Sequence, residues 1–470
     1  MLSREDLRNY QRRGVDFFKS IKTPGLFLDM GLGKTIITLT ATADLLKERK
    51  VSKVLLVAPL RPAQGVWRQE ARKWQHTKHL TFKLLTGSEG KRLTAMKSSA
   101  QIHIINVDNL RWLLYVLKSM QRKNGWPYDM LIIDESSMFK APGRKRFSTL
   151  RHHLRKFDRR AILTGTPAPK GLIDIWSQVY ILDLGLRLGE QVRRYRERFF
   201  SPSGYMGYGY DLDDGAESKI LGLISPLILS MRAEDWLELP PEIEQTIWVD
   251  LPPTARNLYN KMEKEMFVEL EAGSTEAVSA ASVSSKCWQI ANGALFLDKP
   301  DGTRTWQAVH DAKLQALQEI VEGTSDNLLV TYWFKPDLAR LRSMFPKAPC
   351  LVDAKNERQL NALQNAWNNG DHRIMFVHPQ GGGHGLNLQG GGNTLVMFSL
   401  LWGREAWAQV RQRMGATRQY GLRDHVNYKY IAVRDTVDEA MLTTQRRREV
   451  DERRMIKTLR DYRDAREILA

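Results

Sequence analysis

Cysteine is nearly missing: Cys287 and Cys350 are the only two thiols in 470 residues. Two are too few for a thiolate zinc site and imply no disulfide framework. Long apolar runs are missing as well, since none reaches the roughly 18 residues a helix needs to cross a bilayer. The opening stretch, residues 1–14, lacks the apolar core of a signal peptide. These absences lead to the expectation of a cytoplasmic protein with no membrane attachment. Acidic residues are in short supply too, with 53 Asp and Glu against 71 Lys and Arg, a formal net charge of +18. Such a field favours a polyanion, nucleic acid before others, although a merely solvated basic surface has the same arithmetic. Distribution separates the two readings. Nine Lys or Arg stand between Lys140 and Arg160, among them Lys140, Arg144 and Lys145, against the single acid Asp158. That density reads as neutralisation of a phosphate backbone, which gives affinity without sequence information.

What is plentiful is alternation. Short aliphatic runs at Val54–Val57, Ile102–Asn106, Met130–Ile133 and Ala161–Leu163 are mostly followed by helical patterns such as Gly65–Trp74 and Asp108–Gln121. Apolar strands alternating with amphipathic helices predict a parallel sheet covered on both faces. A second series runs through Asn327–Thr331, Arg373–Val377, Thr394–Phe398 and Val426–Ile431, so two α/β lobes are expected. The boundaries predicted are a first lobe over 1–181, an insertion and linker over 182–239, and a second lobe over 240–440. Within the second lobe a helical protrusion is expected at 252–295, with Gly273–Ser285 as a turn. Gly and Tyr mark Ser201–Gly215 as an exposed loop. The tail, 441–470, has helical spacing and nine basic against six acidic residues, the pattern of a solvated terminal helix.

Two motifs carry chemistry. Asp29-Met30-Gly31-Leu32-Gly33-Lys34-Thr35 lies between the apolar Leu26–Leu28 and the helical Ile36–Leu46. A strand, a glycine-containing loop and a helix N-terminus form an anion site, because N–H groups and the helix dipole both face the ligand. Gly31, Leu32 and Gly33 would present backbone to the phosphates of a nucleotide triphosphate such as ATP. Lys34 would reach the β- and γ-phosphates, and the Thr35 hydroxyl would bind Mg²⁺. The full pattern asks for glycine at position 28, where this chain has Leu28. The second motif is Leu131-Ile132-Ile133-Asp134-Glu135, a buried-strand pattern ending in two acids. At the carboxyl end of a strand both can face the crevice where such folds bind ligands. Asp134 would complete the Mg²⁺ shell, and Glu135 would orient and deprotonate the attacking water. Alone, an acid pair there is often a helix cap; with a phosphate loop upstream, hydrolysis is the better reading.

These residues resemble the superfamily 2 helicases, and within them the Swi/Snf-like double-stranded DNA translocases, whose version of the loop also lacks the first glycine. Leu7-Arg8-Asn9-Tyr10-Gln11 is similar to the family's adenine-reading segment, which puts Gln11 at the base edge. Val57-Ala58-Pro59, followed by Trp67 and Trp74, resembles a DNA-touching segment and implies Pro59 as a contact. Leu163-Thr164-Gly165-Thr166-Pro167 resembles the step linking DNA binding to hydrolysis, with Thr164 at the DNA. Residues 239–259 resemble the approach to the second lobe. There Asn327–Phe334 looks like its first motor strand, and residues 378–388 resemble a glycine-rich segment contacting DNA through Gly382 and Asn387 and nucleotide through Gly385. His378 and His384 in that segment lack a third ligand for a metal. Gln409–Met414 is similar to the arginine-finger segment, with Arg413 at the first arginine. Ala416 stands where the second is expected, leaving Arg411 or Arg418 to compensate or Arg413 to act alone.

The resemblance implies an α/β chain with two RecA-like lobes, parallel sheets covered by helices, and a helical insertion between. It implies ATP and Mg²⁺ as cofactors and Lys34, Glu135 and Arg413 as catalytic residues. The partner expected is double-stranded or forked DNA, bound without sequence specificity by a monomer. Duplex translocation that remodels DNA or displaces bound proteins comes first. A branch-migrating or annealing helicase on forks and a DNA-binding protein with a weakened motor are the alternatives. The lack of an accessory segment suggests a minimal motor of phage or mobile-element origin, by analogy, acting in a host cytoplasm.

Overall fold

The computed structural model describes residues 1–60, 62–203, 209–271, 277–298, 302–379 and 386–469. It divides into two compact units, 1–237 with 448–470, and 238–447.

In the first unit the strands are β1 (Gly25–Leu28), β2 (Val54–Ala58), β3 (Phe82–Leu84), β4 (Ile102–Asn106), β5 (Met130–Asp134) and β6 (Arg159–Thr164). A small antiparallel hairpin, β7 (Phe200–Ser203) and β8 (Gly209–Leu212), precedes β9 (Ile228–Met231). Seven of them form one sheet in the order β3-β4-β2-β5-β6-β1-β9. All its pairs are parallel. Runs rich in Leu, Ile and Val suit strands buried on both faces, and β1, β2, β4 and β6 are buried at every position, including Arg159 and Arg160 of β6 and His103 of β4. The order has a functional consequence. β5, β6 and β1 are far apart in sequence yet adjacent in the sheet, so the loops leaving their carboxyl ends emerge side by side.

The second unit repeats the design with β10 (Glu242–Val249), β13 (Leu328–Thr331), β14 (Ile374–Val377), β15 (Thr394–Met397) and β16 (Val426–Val433). Their order is β10-β16-β15-β13-β14, again wholly parallel. A hairpin of β11 (Ala294–Asp298) and β12 (Arg304–Ala308) lies outside this sheet. The buried Lys313 ammonium meets Asp438 at 2.7 Å and also donates to Asn292. That pair anchors the start of the last helix, Val437–Leu469. Among the described residues no helix is long and apolar enough to cross a membrane.

Three boundaries differ from those expected. Residues 182–237 are not an insertion: β9 pairs along the whole of β1 and closes one edge of the first sheet. The segment 273–285 is not simply a turn, since a helix runs from Ala277 to Asn292. Nor is the tail a solvated helix. Met455, Ile456 and Leu459 share one helix face and are buried in the first unit's core. Three apolar residues on one stripe suffice for docking, and a count of charges conceals them.

Candidate active site

The phosphate loop begins where β1 ends. Leu28 is fully buried in that strand, paired with Met231 of β9, so the position that lacks glycine is a core position. Gly31 (φ 90°) and Gly33 (φ 80°) then turn the chain in the left-handed region, where a side chain is strained. Gly33 caps the helix Lys34–Lys47, whose first-turn N–H groups are the orphan donors of an anion site. A Cβ on Gly33 would lie 2.5 Å from Nε2 of Gln11. Gln11 therefore lies across this turn, and its Oε1 accepts from the Arg8 N–H at 3.0 Å. Leu32 is buried and plugs the loop into the core. The Lys34 ammonium donates to the carbonyls of Leu28 (2.6 Å) and Asp29 (3.2 Å). Burial lowers its pKa, against the pull of Glu135, Asp134 and Asp29.

β5 brings the acid pair alongside. Asp134 is pushed up to about 6, first by burial and then by Glu135, while the Trp67 indole N–H at 3.0 Å and Lys34 draw it down. Glu135 holds a left-handed backbone (φ 60°), a costly conformation for a residue with a side chain. The turn directs its carboxylate back over the sheet, where Oε1 accepts from Ser137 at 2.7 Å and Thr164 at 2.8 Å. Thr164 ends β6. The next residue, Gly165, makes room for the phosphate loop: a Cβ there would meet Met30 at 3.1 Å and the Lys34 ammonium at 3.5 Å. Loop, acid pair and Thr-Gly-Thr-Pro segment thus form one contact network within the first unit.

For Mg²⁺, the chain offers the Thr35 hydroxyl in the first helical turn and one partly buried carboxylate, Asp134. Among the described residues no group of three or more His, Cys, Asp or Glu could hold a metal unaided. A hydroxyl and a carboxylate fit a hard cation that shares its shell with water and phosphate oxygens.

Several residues expected at DNA are placed elsewhere. Thr164 has no exposed surface and its hydroxyl is committed to Glu135. Pro59 is buried, with its carbonyl accepting from Ala63, and the exposed residue at that strand end is Leu60. Trp67 and Trp74 are buried, bonded to Asp134 and Glu70. Arg159 and Arg160 are buried too, donating to carbonyls of Phe18, Lys19 and Ile21 and of Leu154, Phe157, Ile181 and Leu182. The basic run is consequently thinner at the surface than its letters indicate. Arg144 and Lys145 are exposed at the start of the helix Lys145–Arg151, and Lys140 is partly exposed. The role of Trp67 as the support of Asp134 has no local signature in the sequence, because 67 positions separate the pair.

In the second unit Gly382, His384 and Gly385 lie outside the described residues. Asn387 is exposed, and its carbonyl accepts from Asn368. His378 stacks on Trp333 at 5.1 Å and bonds the Trp333 carbonyl, which accounts for it without a metal. Arg413 is buried and approaches the Pro379 carbonyl at 3.5 Å. Arg411 is engaged differently: it pairs with Glu242 and Glu244 at 2.8 and 2.7 Å and lies over Tyr428. The Ala416 N–H also donates to Glu242, at 3.3 Å. Arg418 donates to the Leu386 carbonyl, beside the glycine-rich segment, and burial lowers its pKa to about 10.

A family model described as SNF2-related domain matches residues 10–292. A protein of Acyrthosiphon pisum secondary endosymbiont phage 1, p41, is 39% identical over 93% of this chain and 94% of its own length. Nuclear protein STH1/NPS1 of Saccharomyces cerevisiae is 24% identical over 93% of this chain, which spans only 34% of that protein. The SWI/SNF chromatin-remodeling complex subunit snf22 of Schizosaccharomyces pombe is 26% identical over 88% of the chain and 26% of its own length. A solved Sulfolobus solfataricus SWI2/SNF2 ATPase core in complex with dsDNA covers 96% of this chain and 94% of its own, at 21% identity and a TM-score of 0.44.

Proposed function

Because the chain belongs to the SNF2-related domain family, we propose that this SNF2-family ATPase core hydrolyses ATP and couples hydrolysis to movement along duplex DNA. The reading assigns Gln11 to the adenine edge and the loop N–H groups with Lys34 to the phosphates. Thr35 and Asp134 would hold Mg²⁺, which when bound neutralises charge on the transferred phosphoryl group. Glu135 orients the attacking water and accepts its proton. Arg413 would contribute the second unit's charge to turnover. Exposed Arg144 and Lys145 would neutralise backbone phosphates.

One observation carries the coupling: the hydrolytic carboxylate of Glu135 is bonded to Thr164, and the adjoining Gly165 packs against Lys34. A displacement of the Thr164–Pro167 segment would therefore disturb both Glu135 and Lys34. The test is steady-state ATPase with duplex, single-stranded and forked DNA side by side. Duplex should stimulate turnover strongly, and Lys34→Ala should abolish it. An ATPase indifferent to DNA, or one that survives Lys34→Ala, rejects the proposal.

A second reading, a DNA-binding protein with a weakened motor, draws on Ala416 together with the ion pairs that occupy Arg411. Tight nucleotide binding without multiple turnover would favour it.

A further inference from the structure

A groove of about 670 Å³ lies on the helical layer of the first unit, between the helices Val107–Asn124 and Lys145–Arg151 and the turn that follows. Arg111, Tyr115 and Lys118 line one wall, at the i, i+4, i+7 spacing that puts them on one helix face. His152, His153 and Lys156 line the other, and none of the described lining residues is acidic. Asp108, on the same helix, is paired with Arg146. His153 is fixed in place: it stacks on Trp126 at 22° and its Nδ1 bonds the Thr149 carbonyl at 3.0 Å. Tyr115 is 75% exposed, the most solvent-accessible aromatic ring among the described core and surface residues.

We infer that this groove binds an unpaired nucleic-acid strand, its cations on the phosphates and the Tyr115 ring against a base. An aromatic ring among cations is the arrangement that holds single strands, because every base has a face to stack on. In an intact duplex those faces are covered by neighbouring bases, and Tyr115 would have nothing to meet. The groove's lining residues lie on the helices Val107–Asn124 and Lys145–Arg151 and just after the latter, and none belongs to the loops that follow β5, β6 and β1. The inference deepens the proposed function by giving the motor a place for the single-stranded branch of a fork.

The whole protein should be titrated with labelled oligothymidine and with blunt duplex, as wild type, as Tyr115→Ala and as Arg111→Glu/Lys118→Glu. These side chains are exposed, so the fold should tolerate the changes. Tyr115→Ala should weaken oligothymidine binding about tenfold, the loss of one stacked base. The charge reversals should weaken it further, and duplex-stimulated ATPase should stay unchanged. Unaltered oligothymidine binding in both variants overturns the inference. So does an equal loss for duplex, which marks a general polycationic face, or a wild type with duplex-stimulated ATPase that ignores oligothymidine. In those cases the proposed function stands. If Tyr115-dependent strand binding occurs without any DNA-stimulated ATPase, the proposed function fails and the groove stands.

Discussion

Asp134 is tuned by three neighbours, and the tuning has a pH signature. Burial and Glu135 push its carboxyl up to about 6, whereas Trp67 and Lys34 hold it down. Below that pH the residue is protonated and cannot ligate a cation. The kcat/KM for ATP should accordingly fall as pH drops through about 6, with a single acid limb. Trp67→Phe removes a bond that favours the charged form, so the limb should move to higher pH. A limb that stays in place would separate Trp67 from Asp134 function. On the proposed function Thr164 would act at one remove, as a positioning residue, through its hydrogen bond to Glu135. Thr164→Val keeps its volume and deletes one hydrogen bond to the carboxylate, a change worth on the order of 1–2 kcal/mol. In steady-state ATPase assays kcat should drop about tenfold while KM for ATP is nearly unaltered. A change confined to KM would place Thr164 in substrate binding instead.

At the scale of elements, the last helix contributes more than its composition advertises. Leu459 is 1% exposed and packs in the first unit's core with Met455 and Ile456. Arg460 adds an ion pair to Asp235 at 2.6 Å, and Arg454 one to Glu217 at 3.1 Å. The pairs are partly exposed and add little; the apolar stripe holds the helix. Leu459→Ala should cost about 2–5 kcal/mol and lower the thermal midpoint, measured by circular dichroism. An unchanged midpoint would mean the helix does not dock in solution. The contrast with the central strands explains what the sequence made legible. β2 and β5 are aliphatic runs and β4 is interrupted only by His103 before its final Asn106, so all three are legible to within a residue, as are the positions of the loop after β1 and the acid pair at the end of β5. β9, only four residues long, and β10, mostly exposed at an edge, lack that signal. Site contacts such as Trp67 to Asp134 depend on strand order, which local pattern does not encode.

For the whole molecule, net charge is a poor guide until each cation is located. Arg159 and Arg160 sit inside the run from Lys140 to Arg160, yet they are buried and bonded to backbone carbonyls. Arg151 stacks on Tyr180 and donates to the Glu190 carbonyl. Arg146 is paired with Asp108. Arg144, Lys145, Arg155 and Lys156 remain at the surface, so they belong in the account of counterion release and the buried pair does not. Duplex affinity should fall steeply and linearly in a plot of log K against log salt. Arg144→Ala and Lys145→Ala should each flatten that slope by about one unit, whatever the DNA sequence. Arg160→Met should leave the slope alone and lower stability, because four carbonyl acceptors lose their donor. Anisotropy titrations across a salt series, paired with thermal melts, distinguish the two behaviours. If Arg160→Met flattened the slope in a protein that still melted normally, the division between structural and DNA-facing cations would be wrong.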